Sequence, residues 1–276
     1  GCAKVLLAEG AQVVVSGRNA ESGAKAVAAL GSGAHFVQAD VAKPDDRQRL
    51  FDEAVSHLGH VSILLTNAGG PPTGPFLERT LDDWHTYFAL TMLSAIHMAG
   101  LAVPAMIARG WGRIVNVSTL SVKESTPNTP LANALKTGVV GALGTLAREI
   151  ADKGVTVNNI APGPFDTALL RRVSRHITQR EDLSEEEAVA LYASQGPMKR
   201  MGTTAKASLT SKRSISDTSM PAFFNAFLEA GAGPSSMMVG SAPTIPKEST
   251  LALGLSPACS PRASDPKRRS AAPSTI

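Results

Sequence analysis

Short runs rich in β-branched residues alternate with longer stretches of helical periodicity over the first 200 residues, and this alternation constrains the fold more than any other feature. The short runs are 12–16, 34–38, 61–65, 112–117 and 155–160, and the helical stretches are 2–9, 20–30, 44–58, 79–109 and 134–151. Because the runs are apolar along their length, they predict strands covered on both faces. Strand–helix alternation implies right-handed parallel crossovers. The sequence therefore predicts an α/β protein with a doubly wound parallel sheet.

The amino-acid composition of the chain changes near residue 203. Residues 203–276 contain 14 Ser and 8 Pro, with a single apolar patch at 221–228. Such a composition buries too little apolar surface to offset the entropy of ordering. We expect residues 1–202 to form the α/β domain and residues 203–276 to form a poorly ordered tail without a strand or a long amphipathic helix.

The net charge of +4 arises from an excess of basic residues in that tail. Residues 1–202 hold 19 basic and 19 acidic side chains, whereas residues 203–276 hold 8 and 4. The run Lys267-Arg-Arg269 suits a nuclear signal or a nucleic-acid contact, but a solvated charge run is the favoured interpretation. We therefore expect no nucleic-acid partner.

The number and spacing of the cysteines and histidines indicate the cellular compartment and whether disulfides or metal sites are expected. Cys2 and Cys259 are the only cysteines, so we expect neither a disulfide framework nor a Cys-rich zinc site, and a reducing, cytoplasmic setting is the natural prediction. The six histidines show no ligand spacing, which predicts no metal site. We see no run of about 20 apolar residues that would span a bilayer, and we expect no membrane partner. The chain begins without Met, and we expect it to be a fragment.

Several polar or small motifs come where strands end. Thr66-Asn-Ala-Gly69 follows one strand and Asn116-Val-Ser-Thr119 follows the next, while Asp40-Val41 and Asn158-Asn-Ile-Ala-Pro-Gly163 end two others. Lys136 lies in a helix 17 residues after Thr119. Ligands bind at the carboxyl ends of parallel strands, so these motifs predict one shared site.

In this order and spacing the motifs resemble the short-chain dehydrogenase/reductase family, in its 3-oxoacyl-carrier-protein reductase-like branch, over residues 1 to about 202. The resemblance implies a Rossmann-type sheet, NAD or NADP, a small carbonyl or alcohol substrate, and a homodimer or homotetramer. The family's first strand and Gly-rich turn have no counterpart here, because Ala3 to Ala11 already matches the first helix. We expect strand order 3-2-1-4-5-6 with the position of strand one vacant or filled by a substitute.

The resemblance also implies which residues hold the cofactor. Asp40 and Val41 would contact adenine, Asn67, Ala68 and Gly69 would stabilise the sheet and line the cofactor, and Pro162, Gly163 and Thr167 would border the nicotinamide. After the second family strand, Ser16-Gly-Arg18 contains no acid that could bind a ribose 2′-hydroxyl. Arg18 suits a 2′-phosphate instead, which favours NADP over NAD.

The catalytic set departs from the family pattern. By resemblance Lys136 is kept and would hold the nicotinamide ribose, Thr119 replaces the Ser that orients the carbonyl, and Thr91 replaces a family Asn. Ala132 stands where the family has the proton-donating Tyr, and a missing general acid typically costs about 10²- to 10⁴-fold in rate.

Two interpretations follow from that departure. The first is an NADP-dependent oxidoreductase that interconverts carbonyl and alcohol groups, including 3-oxoacyl groups, with Ser121, Lys123 or Tyr192 as substitute acids; Tyr87 is expected in the core. The alternative is a non-catalytic binding or oligomerisation module. In either case the helices 79–109 and 134–151 would form a dimer face, where Gly138 to Gly144 supplies small residues.

Overall fold

The computed structural model describes residues 2–162, 165–178, 180–195, 199–202 and 236–239. Each predicted strand forms within two residues of its expected position. The strands are β1 (Val13–Gly17), β2 (Ala34–Gln38), β3 (Ile63–Thr66), β4 (Gly112–Val117) and β5 (Val155–Ile160). β1 runs parallel to β2, and β3, β4 and β5 run parallel to one another. The predicted Rossmann-type α/β architecture with parallel strands is confirmed.

Helices follow the predicted stretches, with one irregularity. The helices are α1 (Cys2–Ala8), α2 (Ala20–Leu30), α3 (Pro44–Leu58), α4 (Leu81–Tyr87), α5 (Ser94–Ala108), α6 (Pro130–Glu149), α7 (Ala168–Thr178) and α8 (Glu185–Gln195). The stretch predicted as one helix over 79–109 contains a π-helical segment, Phe88–Leu93, between α4 and α5, where the helix widens without ending. Local widening of this kind often marks a functional site.

The centre of the sheet holds a strand that the sequence did not predict. The strand order is β2-β1-β6-β3-β4-β5, where β6 is Ser236–Val239. β6 runs antiparallel to both β1 and β3, and it fills the position expected to be vacant or substituted. The expectation that no strand occurs after residue 203 is therefore wrong, because the backbone groups of β1 and β3 facing that gap pair with this segment. The division into domain and tail at 202/203 stays a prediction.

Apolar side chains cover both faces of the sheet, as the doubly wound prediction requires. On one face, helices α3, α5 and α6 bury Leu50, Met98 and Leu143 against the strands. On the other face, α1 and α2 pack through Leu6 and Val27. Because helices cover both faces of the sheet, the successive residues Val13, Val14 and Val15 of β1 are all buried and apolar.

The expectation that no stretch is long and apolar enough to span a bilayer is wrong for one helical stretch. Residues 81–108 form a continuous helical segment that is long and apolar enough to cross a bilayer by length and composition. Its residues Ala95, Met98, Ala99 and Ala102 lie in the core against the sheet. Apolar composition here reflects a core helix whose buried face meets strands and whose other face is partly exposed.

Candidate active site

A ladder of side chains connects the carboxyl ends of three neighbouring strands. The Thr66 hydroxyl donates to Asn116 Oδ1 at 3.0 Å, and Asn116 Nδ2 donates to Asn159 Oδ1 at 2.9 Å. Thr66 and Asn116 are buried, so these bonds satisfy polar groups that would otherwise be costly. The ladder fixes the ends of β3, β4 and β5 relative to one another and forms the floor of the site.

The segments that carry Thr119 and Pro162 are joined at this edge by backbone hydrogen bonds. The Ser118 N–H donates to Ile160 O at 2.7 Å, and the Leu120 N–H donates to Pro162 O at 3.2 Å. Thr119 lies between those two bonds and is half-buried. Gly163, the other residue expected here, lies outside the described residues.

Lys136 reaches the same edge from helix α6. Its Nζ donates to Val117 O at 3.2 Å, one residue before Ser118 and two before Thr119. Burial lowers the pKa of the Lys136 ammonium from 10.5 to about 8, because a desolvated charge is disfavoured. The geometry therefore places the Lys136 ammonium at the end of β4, two residues before Thr119.

The first turn of α6 is held by the loop that precedes it. Pro130 occupies the first helical position, where its fixed φ suits the helix. Asn133 Nδ2 donates to Thr126 O at 3.0 Å, and the Thr129 hydroxyl donates to Asn133 Oδ1 at 3.0 Å. Ala132, beside Asn133, is half-buried and lies one turn before Lys136. The turn that should carry the acid is thus well anchored but presents only a methyl group.

Buried hydroxyl groups without a partner lie on the segments around the first half of α6. Thr91 Oγ1, on the π-helical segment, has no hydrogen-bond partner among the described residues, and neither do Ser118 Oγ and Ser121 Oγ. All three residues are less than a tenth exposed. Sequence reasoning singled out Thr91 and Ser121 but missed Ser118, whose position between Val117 and Thr119 was the available signal. Unsatisfied buried hydroxyls indicate places for ordered water or for a ligand.

A separate cavity of about 500 Å³ opens beside Arg18 and Asp40. Within it, Arg49 is neutralised by Asp46 and Glu53, at 3.2 and 2.9 Å. The Asp40 N–H donates to Asp46 Oδ2 at 2.7 Å, and this bond, with the hydrogen bond from Arg49, holds the pKa of Asp46 below its usual value. Arg18 and Lys43 also line the cavity, and neither forms an ion pair within the described part of the chain. Lys43 was not anticipated from the sequence.

The remaining cofactor candidates differ in what they can offer a ligand. The Val41 side chain is fully buried in the core, and its carbonyl accepts from Arg47 at 2.7 Å. Asn67 and Ala68 are half-buried, and an added Cβ at Gly69 would meet no atom within 4 Å, so this edge is open. Thr167 is buried, and its hydroxyl accepts from the Leu170 N–H at 3.2 Å, which caps α7.

The residues that the sequence offered as substitute acids differ in their exposure to solvent. Ser121 is buried, Lys123 is exposed, and Tyr192 is half-buried. Burial raises the pKa of the Tyr192 phenol, which makes it a weaker acid. Tyr87 ends α4 and is also half-buried rather than core. Across the described ranges no cluster of three or more His, Cys, Asp or Glu side chains is arranged to hold a metal ion.

The chain is similar to known dehydrogenases and reductases. The model of a family described as short chain dehydrogenase matches residues 1–178. D-beta-hydroxybutyrate dehydrogenase of Cupriavidus necator is 32% identical over 191 residues, covering 68% of this chain and 74% of that protein. Acetoacetyl-CoA reductase of the same organism is 30% identical over 165 residues, covering 60% of this chain and 63% of that protein. The solved structure of actinorhodin polyketide ketoreductase with NADPH has a TM-score of 0.71 at 27% identity, covering 76% of this chain and 83% of that one.

Proposed function

The chain belongs to the short-chain dehydrogenase/reductase family as a 3-oxoacyl-reductase-like oxidoreductase, and we propose that it interconverts small or acyl ketones and alcohols with NADP. The observation that carries this proposal is the meeting of Thr119, Lys136 and Pro162 at the carboxyl edge of the parallel strands. Relatives that are dehydrogenases and reductases favour this function over a non-catalytic module. The low cysteine content and the reducing cofactor suit a cytoplasmic location.

The residues at the carboxyl ends of the strands fit the nicotinamide part of a dinucleotide cofactor, whereas the family's Gly-rich turn for the pyrophosphate has no counterpart here. The open backbone at Gly69 leaves room for a flat ligand over the strand ends, beside the half-buried Asn67 and Ala68. When bound, the cofactor supplies or accepts the hydride. Lys136 would hold its ribose, Asn67 and Ala68 would line it, and Thr119 would orient the substrate carbonyl.

The preference for NADP over NAD rests on the cavity beside Asp40. Arg18 and Lys43 line that cavity without forming ion pairs among the residues described there, and no carboxylate stands at positions 16–18. A guanidinium and an ammonium favour a dianionic phosphate over a ribose hydroxyl. The NADPH found with the ketoreductase relative is consistent with this preference.

Replacing Arg18 by Ala is expected to weaken NADPH binding while leaving NADH binding unchanged. A charge-assisted hydrogen bond contributes about 1.5–3 kcal/mol, which corresponds to roughly 10- to 100-fold in the NADPH dissociation constant. Calorimetric titration of both cofactors checks this result. Lys25→Ala serves as the matched control, because Lys25 is exposed and pairs only with Glu21 in the structure. Equal affinities for NADPH and NADH that are insensitive to Arg18→Ala would contradict the proposed selectivity.

The proposed assembly is a homodimer or homotetramer built on the exposed sides of α4–α5 and α6. Leu81 is 76% exposed, and Phe88 and Leu93 are also exposed along the same helical stretch. On α6, an added Cβ at Gly141 or Gly144 would meet no atom within 4 Å, so a second helix has room to approach closely. Light scattering at high protein concentration should show at least a dimer, and a monomer would contradict this assembly.

A further inference from the structure

We propose that the Lys136 ammonium is itself the proton donor of this site, acting on the substrate oxygen in the space left by the short Ala132 side chain. Residues four apart on a helix lie on the same face, so Ala132 and Lys136 face the site together. This inference rests on the proposed function, because it names the acid of that same site. It assigns to Lys136 a second task beyond holding the cofactor ribose.

The hydrogen bonding of Lys136 leaves donors available. An ammonium has three N–H donors, and within the described contacts only one is used, in the 3.2 Å bond to Val117 O. No carboxylate forms an ion pair with this ammonium in the described part of the chain. Two N–H groups therefore remain for the cofactor ribose and for the substrate oxygen, either directly or through one water molecule.

The surroundings also make Lys136 a stronger acid than an ordinary lysine. The titratable groups on or next to the elements packed against α6 are Asp82, Asp83, His85, Tyr87, His97, Lys123, Glu124, Asp152 and Lys153. None of them shifts the pKa of Lys136, which burial alone lowers to about 8. A general acid works best when its pKa is near the operating pH. At neutral pH Lys136 is mostly protonated and releases its proton more readily than an exposed lysine.

Unpartnered hydroxyls in the same region offer sites for the water that the proposed cycle needs to restore the proton. The unpartnered hydroxyls of Thr91, Ser118 and Ser121 lie on the segments that adjoin α6 and the end of β4. Buried polar atoms of this kind are usually satisfied by ordered water, and such water relays protons. The neutral amine of Lys136 can thus regain a proton from solvent after each turnover.

The proposed step reduces the carbonyl group to an alcohol. A hydride forms the new C–H bond at the carbonyl carbon, and the π pair of the carbonyl moves to oxygen. One N–H bond of Lys136 breaks as the O–H bond of the alcohol forms. Lys136 is left as a neutral amine, and water supplies the replacement proton. The hydride comes from the reduced nicotinamide that the proposed function already requires.

Direct titration of Lys136 tests this inference without any cofactor. In protein labelled with ¹³C at lysine Cε, the Lys136 signal is assigned by its loss in Lys136→Arg, and its pH dependence gives the pKa. We expect a pKa of about 8. A value near 10.5, the ordinary value for lysine, would overturn the inference, because the ammonium would then be no better an acid than an exposed lysine.

A second test follows the role of Lys136 as the acid during the reaction itself. Single-turnover rates are measured as a function of pH with saturating NADPH and a ketone. The unmodified protein should react at a constant rate below pH about 7 and slow about tenfold per pH unit above 8, because the acid must be protonated. Lys136→Arg should still bind NADPH through its charge, but should lose about 10²-fold or more in rate and the fall above pH 8, because a guanidinium does not release its proton. Lys153→Arg, an exposed control, should match the unmodified protein.

The outcomes separate this inference from the proposed function. If Lys136→Arg keeps both the rate and the pH profile, the acid lies elsewhere and the inference is wrong, although the reductase function stands. If no variant binds NADPH, the proposed function fails and this inference fails with it. If Lys136→Arg does not fold, Lys136→Met supplies the assignment of the Lys136 signal instead, and the titration of the unmodified protein decides.

Discussion

Replacing Ala132 by Tyr is expected to raise the rate of NADPH-dependent ketone reduction by about 10²-fold or more. A phenol at position 132 would lie one turn before Lys136, whose positive charge stabilises a phenolate and thereby lowers the pKa of the phenol. The variant would present a positioned acid to the alkoxide that forms when hydride is transferred. Single-turnover rates at saturating NADPH measure the effect on chemistry separately from binding.

Ala132→Phe is the matched control for this variant. It adds nearly the same ring to the half-buried position but no hydroxyl, so it separates the effect of filling space from the effect of supplying a proton. We expect Ala132→Phe to react no faster than the unmodified protein. An equal gain from Phe and Tyr would contradict the role assigned to the phenol. So would a folded, NADPH-binding Ala132→Tyr protein with no gain.

Replacing Met238 by Asp is expected to abolish cooperative folding or to lower the free energy of unfolding by at least about 3 kcal/mol. Met238 is fully buried in β6, where it pairs with Val14 of β1 on one side and Leu64 of β3 on the other. Leaving an uncompensated charge at a buried site typically costs about 3–5 kcal/mol, against a total stability of about 5–15 kcal/mol for a domain. Loss of β6 would also leave the facing backbone groups of β1 and β3 unpaired.

Chemical denaturation followed by circular dichroism measures this effect. Met238→Leu is the control, because a hydrophobic exchange of similar volume usually costs less than about 1.5 kcal/mol. If Met238→Asp unfolds at the same denaturant concentration as the unmodified protein, β6 does not contribute to the sheet, and the central strand assignment is wrong.

The outer strands and their helices were predictable because each carries its own local signal. Runs such as 112–117 are rich in β-branched residues, and the helices between them have clear periodicity and start signals, for example Pro44 and Pro130 at the first helical positions. β6 could not be predicted in this way. Met237-Met-Val239 is too short to stand out in a Ser- and Pro-rich region, and its pairing depends on the gap between β1 and β3. Strand formation there follows from tertiary context rather than local preference.

The candidate site was predictable where a motif ended a strand and unpredictable where side chains met across the fold. Thr119 and Lys136 were proposed from the family resemblance, and in the structure Lys136 Nζ donates to Val117 O while the Leu120 N–H donates to Pro162 O at the same edge. The link from Arg47 Nε to His97 Nδ1, at 3.0 Å and 50 residues apart, has no sequence signature. Neither does the burial that lowers the pKa of Lys136, because desolvation is set by the packing of distant segments.

The most direct test of the account is to incubate the protein with NADPH and an acetoacetyl thioester and to analyse both products. We expect the unmodified protein to form the 3-hydroxyacyl thioester slowly, in an amount equal to the NADP⁺ produced. We expect Ala132→Tyr to form it much faster. If neither protein forms the alcohol over a prolonged incubation, although both are folded and bind NADPH, the proposed carbonyl reductase function is contradicted.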